Sequence, residues 1–308
     1  MSAIPAGRSP SLWKRMKKFK YLYLMFIPVV AYYLIFHYAG IYYAVIAFQN
    51  YKPMRGISGS AFVGLKNFLE FFTSVSAWRL IRNTLLLNAL MLLFAFPASI
   101  LFALMINQMR DGLYKKTIQT VTYMPHFIAT VVVCGLISEF SQANQLLNDL
   151  LASFGFQRKN LLSEPAYFRT VYVLSEIWQH LGWGTIIYLA TLSGVDLSLH
   201  EAAAIDGAGR MRRIFHINLP ALMPVITIQL ILRIGRMMSL GHEKVLLLYN
   251  PLTYETADIL STFVYRRGLQ EMDYSYGAAV GLFSSVVNLL LLIFANQFSK
   301  RAAGDSLW

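Results

Sequence analysis

Three polar side chains recur on one face of a long apolar segment in the last third of the chain. Gln229, Arg233 and Arg236 are spaced by four and three residues, so they lie on the same side of a helix. A guanidinium is costly to expose to lipid, and this face is therefore expected to point at protein or at a watery cavity. An arginine in such a cavity could bind a carboxylate.

The preceding apolar segment carries a second polar face. Glu176, Gln179 and His180 share one side of that helix, and Trp178 and Trp183 flank them. Two interpretations stay open: Glu176 forms a structural ion pair with one of the arginines, or one arginine is free to meet an acidic sugar such as a uronic acid. Aromatic rings beside polar groups suit sugar stacking, whereas anchoring at the membrane interface or core packing is the alternative role for the tryptophans.

No arrangement of residues typical of an enzyme active site occurs in the sequence. The six histidines are scattered without metal-ligand spacing, and the single cysteine, Cys134, cannot form an intramolecular disulfide. The patterns H-E-x-x-H, C-x-x-C and G-x-S-x-G are absent. G-x-x-x-x-G-K-[ST], the loop that binds nucleotide phosphates, is absent too. We predict no catalytic, cofactor or metal site.

The composition is that of a membrane protein. Of the 308 residues, 56% are hydrophobic and 14% are charged, against about 25% charged in a typical globular domain. The net charge of +12 is not gathered into a basic stripe with stacking aromatics, so it does not indicate nucleic-acid binding.

Six apolar segments predict an all-α membrane protein with six transmembrane helices. The predicted spans are 21–48, 85–106, 120–137, 171–192, 219–240 and 276–298. Their length and their lack of period-two alternation favour helices over barrel strands. Segments 64–72 and 144–154 predict short helices in the outer connections.

Basic residues flanking the spans concentrate on one side, which predicts that both termini are cytoplasmic. The corresponding division is a basic cytoplasmic N-terminus at 1–20, a transmembrane domain at 21–298 and a cytoplasmic tail at 299–308.

The loop between the fourth and fifth predicted spans has an unusual composition. It reads Glu201-Ala202-Ala203-Ala204-Ile205-Asp206-Gly207-Ala208-Gly209 and later Ile217-Asn218-Leu219-Pro220. Helix formers up to Ile205 predict one short helix, and the glycines Gly207 and Gly209 permit a tight reversal. A second short helix at 210–217 follows, and Pro220 suits the first turn of the next span. We predict a helix–turn–helix on the cytoplasmic side.

This loop resembles the coupling motif of the permease subunits of bacterial ABC importers: E-A-A, three residues, G, nine residues, I-x-L-P. The match is made by Glu201, Ala202, Ala203, Gly207, Ile217, Leu219 and Pro220, without departure. The wider chain resembles the carbohydrate branch of that family, the maltose, alginate and polysaccharide importers. That resemblance rests on FVGLKNF at 62–68, RNTL at 82–85, TYMPH at 122–126 and LLYNP at 247–251.

The resemblance implies a permease subunit in the bacterial inner membrane that has no enzymatic site. It implies a second homologous permease, two ATPase subunits that bind ATP and Mg, and an extracellular binding protein that delivers a sugar or oligosaccharide. The implied ATPase-coupling residues are Glu201, Ala202, Ala203, Asp206, Gly207, Gly209, Ile217, Leu219 and Pro220. Candidates for the substrate path are Glu176, Trp178, Gln179, His180, Gln229, Arg233 and Arg236.

Two other functions stay open at this point. An importer for a non-sugar solute would share the coupling loop and differ in its cavity. A membrane-embedded enzyme of glycan metabolism would need a carboxylate or histidine cluster at a membrane face, and the sequence offers none.

Overall fold

The structure is a computed structural model that describes residues 19–155, 157–302, 304 and 306–307. The predicted basic N-terminus at 1–20 therefore lies almost entirely outside the described residues, and the predicted tail at 299–308 does so in part.

The described chain is largely helical. The helices are α1 (Lys20–Phe48), α2 (Lys66–Thr73), α3 (Ala77–Asn107), α4 (Leu113–Phe127), α5 (Thr130–Phe140), α6 (Leu146–Ser153), α7 (Pro165–Ser193), α8 (Leu197–Ile205), α9 (Arg210–Ile234), α10 (His242–Leu248), α11 (Tyr254–Ala257), α12 (Leu260–Val264) and α13 (Tyr274–Ala302). A π-helical segment, Tyr265–Gln270, continues α12. The strands β1 (Gln49–Asn50) and β2 (Ala61–Phe62) pair antiparallel, with Gln49 opposite Phe62.

Four described helices are long and apolar enough to cross a membrane: α1, α3, α9 and α13. The bent pair of α4 and α5 gives a fifth if it counts as one span. The prediction of a largely helical chain is confirmed, and the spans predicted at 21–48, 85–106 and 276–298 coincide with α1, α3 and α13. α7 covers the span predicted at 171–192 with 29 residues, about 44 Å, but polar side chains interrupt it and it is not among the four. Six spans stay a prediction.

The third span, predicted at 120–137, is not one continuous helix, and its crossing of the membrane stays a prediction. α4 and α5 meet at 97° across a break at Ile128 and Ala129, whose backbones are extended. Pro125 lies just before the break, where the last residues of α4 form a 3-10 turn. Proline cannot donate the backbone hydrogen bond that would continue a regular helix.

The fifth span, predicted at 219–240, begins and ends elsewhere. α9 runs without interruption from Arg210 to Ile234, so the separate short helix predicted at 210–217 is wrong. A π-helical turn, Ile214–Asn218, lies immediately before Pro220 and joins the two parts. Because α9 ends at Ile234, Arg236 lies in the turn beyond it.

The connections between the long helices contain the short helices that the sequence predicts at 64–72 and 144–154, namely α2 and α6. Buried asparagines fasten these connections to the bundle. The Asn67 Nδ2 atom donates to the Ala47 carbonyl at 2.8 Å. The Asn83 Nδ2 atom donates to the carbonyls of Glu255 and Asp258 at 2.8 and 3.0 Å. Both asparagines belong to segments that carry the family resemblance, which therefore has a structural basis.

α7 is the central helix of the buried core. Its residue Phe168 packs with Leu87 of α3 and Val245 of α10. Farther along α7, Tyr188 packs with Ile100 of α3 in a second buried cluster that also includes α9. α7 therefore holds together the helices that surround it.

Two glycines allow α7 to approach its neighbours closely. A Cβ atom on Gly182 would overlap the backbone carbonyl of Thr122 in α4. A Cβ atom on Gly184 would lie 2.6 Å from the Ser99 Oγ atom of α3. Small residues at helix contacts are the usual basis of packing in membranes, because lipid leaves little hydrophobic force between helices.

We expect Gly182→Ala to destabilise the protein by about 1–3 kcal/mol, because backbone atoms of α4 must move to admit the methyl group. The matched control is Gly135→Ala in α5, where nothing lies within 4 Å of an added Cβ. The measurement is the thermal unfolding midpoint of each variant in detergent. Equal midpoints for the two variants would contradict the close contact.

Candidate functional site

Residues 197–220, which we call the elbow, consist of the short helix α8, a tight turn and the first residues of the long helix α9. Its first helix, α8, begins after Asp196, whose carboxylate accepts a hydrogen bond from the backbone N–H of Ser198 at 2.9 Å. That hydrogen bond lowers the pKa of Asp196 below its usual value. A carboxylate at this position caps the helix and also interacts favourably with the positive end of the helix dipole.

The reversal after α8 depends on Gly207. Its φ of +76° lies in the left-handed region, which favours glycine. The N–H of Ala208 donates to the Ala203 carbonyl at 2.8 Å, and the N–H of Gly207 donates to the Ala204 carbonyl at 3.1 Å. This pair of hydrogen bonds is a Schellman motif, which ends a helix in a defined direction. Gly209, with φ of −66°, adopts a backbone open to other residues.

The elbow exposes an apolar surface. Ile205, Met211 and Phe215 are 88%, 63% and 56% exposed, whereas Ile217 and Leu219 are half-buried at the base. The structure places every predicted coupling residue on this elbow: Glu201, Ala202, Ala203, Asp206, Gly207, Gly209, Ile217, Leu219 and Pro220. A cluster of exposed apolar side chains that is bordered by charged ones is typical of a protein contact.

Arg233 lies where three cavities adjoin between α3, α7 and α9. The cavities measure about 360, 560 and 210 Å³, and Arg233 lines all of them. Gln229 lines two and Arg236 lines one, so the structure brings these three predicted residues together. The Arg233 guanidinium lies 5.5 Å from the centre of the Phe96 ring. Within the described chain, neither arginine has a carboxylate within ion-pair distance.

Glu176 lines the smallest cavity, and its partner is a lysine. The Lys244 Nζ atom of α10 lies 2.8 Å from Glu176 Oε1 and 3.2 Å from Gln179 Oε1. The predicted ion pair between Glu176 and an arginine is therefore wrong. His180 Nδ1 lies 3.3 Å from Glu176 Oε2 without hydrogen-bond geometry.

Lys244 is the site residue that the sequence reasoning did not find. It is only 5% exposed, although it belongs to a connection predicted to lie outside the membrane. The sequence offers one sign of this burial, because Lys244 stands at the start of an apolar run. Val245 and Leu248 follow it on the helix and are buried. A lysine among buried apolar residues must have a partner.

The two tryptophans near Glu176 are separated in space. Trp183 lines two of the cavities that contain Arg233, and its ring stacks on His126 with centroids 4.3 Å apart and planes 7° apart. Trp178 instead lines a largely apolar cavity of about 770 Å³ with residues such as Phe140. The prediction that Trp178 flanks the polar face is therefore wrong, because α7 turns it towards α5.

The residues that the structure describes contain no group of three His, Cys, Asp or Glu side chains that could hold a metal ion. The site consists of a polar, arginine-containing cavity and a protruding elbow, connected by α7 and α9. Such an arrangement can bind a solute and contact another protein.

The chain is similar in sequence to a described protein family and to known proteins. The sequence pattern of the family described as "Binding-protein-dependent transport system inner membrane component" matches residues 95–304. The chain is 44% identical to the polygalacturonan/rhamnogalacturonan transport system permease protein YteP of Bacillus subtilis (strain 168), over 94% of this chain and 90% of that protein. It is 43% identical to Protein LplB of the same organism, over 99% and 96%.

Among solved structures, it resembles a chain of a bacterial alginate ABC transporter in complex with an alginate pentasaccharide-bound periplasmic protein. The identity is 39%, the TM-score is 0.88, and the match covers 97% of this chain and 100% of that one.

Proposed function

This chain belongs to the family of inner membrane components of binding-protein-dependent transport systems, and from that premise we propose that it imports an acidic oligosaccharide. Members of this family are permease subunits of ABC importers, so the predictions of a transport subunit in the membrane and of a chain that is not itself an enzyme are confirmed.

The observation that carries the substrate proposal is the unpaired Arg233 in the cavity. A guanidinium without a carboxylate partner in a membrane protein is costly unless it faces water or an anionic solute. The related proteins belong to transport systems for polygalacturonan or rhamnogalacturonan and for alginate. These polysaccharides contain uronic acids. A uronate carboxylate would supply the missing partner, and Trp183 on the same cavity wall would stack on a sugar ring.

We further propose that the elbow is the contact for the ATPase subunits. Two such subunits, each binding ATP and Mg, would dock on the elbows of this chain and of a second homologous permease. A binding protein outside the membrane would deliver the oligosaccharide. α1 supports the presence of a second permease, because none of its most apolar 18-residue stretch is buried within this chain.

The proposed topology has six spans, with the α4–α5 pair as a broken third span and α7 as the fourth. Both termini and the elbow would then be cytoplasmic, in agreement with the flanking basic residues. The proposed division remains 1–20 for the cytoplasmic N-terminus, 21–298 for the transmembrane domain and 299–308 for the tail.

An importer for a non-sugar solute is the remaining alternative, since it would use the same elbow. A small non-sugar anion would also meet Arg233, but it would not need an aromatic ring for stacking. The alternative of an enzyme of glycan metabolism is excluded, because the chain belongs to a family of transport components.

We expect Glu201→Lys to weaken binding of the partner ATPase more than about tenfold, because charge reversal in an interface introduces repulsion. Glu201 is exposed, so the fold of the chain should not change. The matched control is Glu70→Lys on α2, an exposed site that the proposed topology places outside. Binding is measured by copurification of the ATPase and by its concentration dependence. Equal binding by the two variants would reject the elbow as the contact.

We expect Arg233→Gln to lower uptake of an oligogalacturonide roughly tenfold or more, because one charge-assisted hydrogen bond is lost. Uptake of the methyl-esterified, neutral form should change little. Rates are measured in proteoliposomes with the complete transporter, each relative to wild type for the same solute, so that the preference of the binding protein cancels. Arg55→Gln, at an exposed turn, is the control. An equal loss for both solutes would refute the acidic-substrate proposal.

A further inference from the structure

A carboxylate stands in the wall of the cavity proposed for an acidic solute. Glu176 lines the same cavity as Arg233, His180 and Trp183. Like charges repel strongly where water is scarce, because the effective dielectric constant is low. An unmasked Glu176 would therefore oppose the entry of a uronate, which makes its neutralisation a requirement for this cargo.

Lys244 is placed to provide that neutralisation from behind the wall. Its Nζ atom contacts Glu176 Oε1 at 2.8 Å and Gln179 Oε1 at 3.2 Å, and it lies 5.8 Å from the Tyr172 ring. Lys244 is buried, and it lines none of the cavities that contain Arg233. Its charge is thus directed at Glu176 and not at a solute.

We propose that Lys244 determines cargo specificity by masking the negative charge of Glu176, so that an acidic oligosaccharide can pass Arg233. This inference rests on the proposed function. Lys244 is a positioning residue that does not touch the cargo. With Lys244 in place, Glu176 is compensated and the arginines leave the cavity wall net positive. Without it, the Glu176 carboxylate presents a negative charge to a solute bound in the same cavity.

The test uses the complete reconstituted transporter, with an oligogalacturonide and its methyl-esterified form as cargos. The variants are Lys244→Met, Glu176→Gln and the double variant Lys244→Met/Glu176→Gln. For Lys244→Met we expect uptake of the acidic cargo to fall on the order of tenfold and uptake of the neutral cargo to stay near wild type. The double variant should recover acidic uptake, because it removes the charge that needed masking. Glu176→Gln alone should take up the acidic cargo at least as well as wild type.

Other roles of Lys244 give different patterns and would overturn the proposal. A purely structural role predicts that Lys244→Met impairs both cargos alike. A direct contact of Lys244 with the cargo predicts that the double variant stays impaired for the acidic cargo. Lys244→Met tests the proposal only if it assembles, as judged by copurification with the ATPase. If it does not assemble, uptake by Glu176→Gln tests the proposal instead, and a selective loss of acidic uptake in that variant would overturn the masking. A wild-type transporter that carries no acidic cargo would overturn the proposed function itself, and the masking with it.

Discussion

The cavity and the elbow both rely on how closely α7 packs against α3 and α4. At Gly182 and Gly184 the neighbouring helices occupy the space that side chains would need. The same helix lines the cavity with Glu176 and His180 and then leads through Asp196 into the elbow. From the elbow, α9 returns to the cavity, where it contributes Arg233. The elbow is therefore held between two helices that form walls of one cavity, so a rigid-body shift of the elbow would move both.

Charged side chains in the helical bundle fall into two groups. Buried charges are paired: Lys244 with Glu176 at 2.8 Å, and Arg266 with the fully buried Asp258 at 2.8 Å. Lys244 and Glu176 belong to helices that are distant in sequence, whereas Arg266 and Asp258 are eight residues apart. In either pair, a missing partner would leave a buried charge uncompensated. Arg233 has no such partner in the described chain, although it stands in the same polar region. The paired charges are compensated within the chain, whereas Arg233 is available for the solute contact proposed above.

Local physical rules explain which features were predictable from sequence. The elbow follows from residues within one turn of each other: a left-handed conformation at Gly207 and a helix cap at Asp196. The short helices α2 and α6 follow from apolar residues at helical spacing. These features need no knowledge of distant contacts, and the structure has them where the sequence places them.

The features that the sequence did not predict depend on packing between distant segments. The lysine partner of Glu176 comes from another helix, and no local pattern specifies that contact. The break between α4 and α5 follows Pro125, but the 97° angle between the two helices is not specified by any local pattern. The continuity of α9 relies on a π-helical turn before Pro220. The direction of Trp178 is different, because residues two apart on a helix do not share a face, so its position away from Glu176 was available from helical spacing alone.

The side of the membrane on which the elbow lies is the most direct test of this account. Two variants are made in a chain whose buried Cys134 is changed to serine. One carries Arg210→Cys on the elbow and the other carries Lys66→Cys on α2, and both positions are exposed. An impermeant maleimide is applied to right-side-out and to inverted membrane vesicles. The account predicts that Arg210→Cys is labelled only in inverted vesicles and Lys66→Cys only in right-side-out vesicles. Labelling of Arg210→Cys in right-side-out vesicles would contradict it.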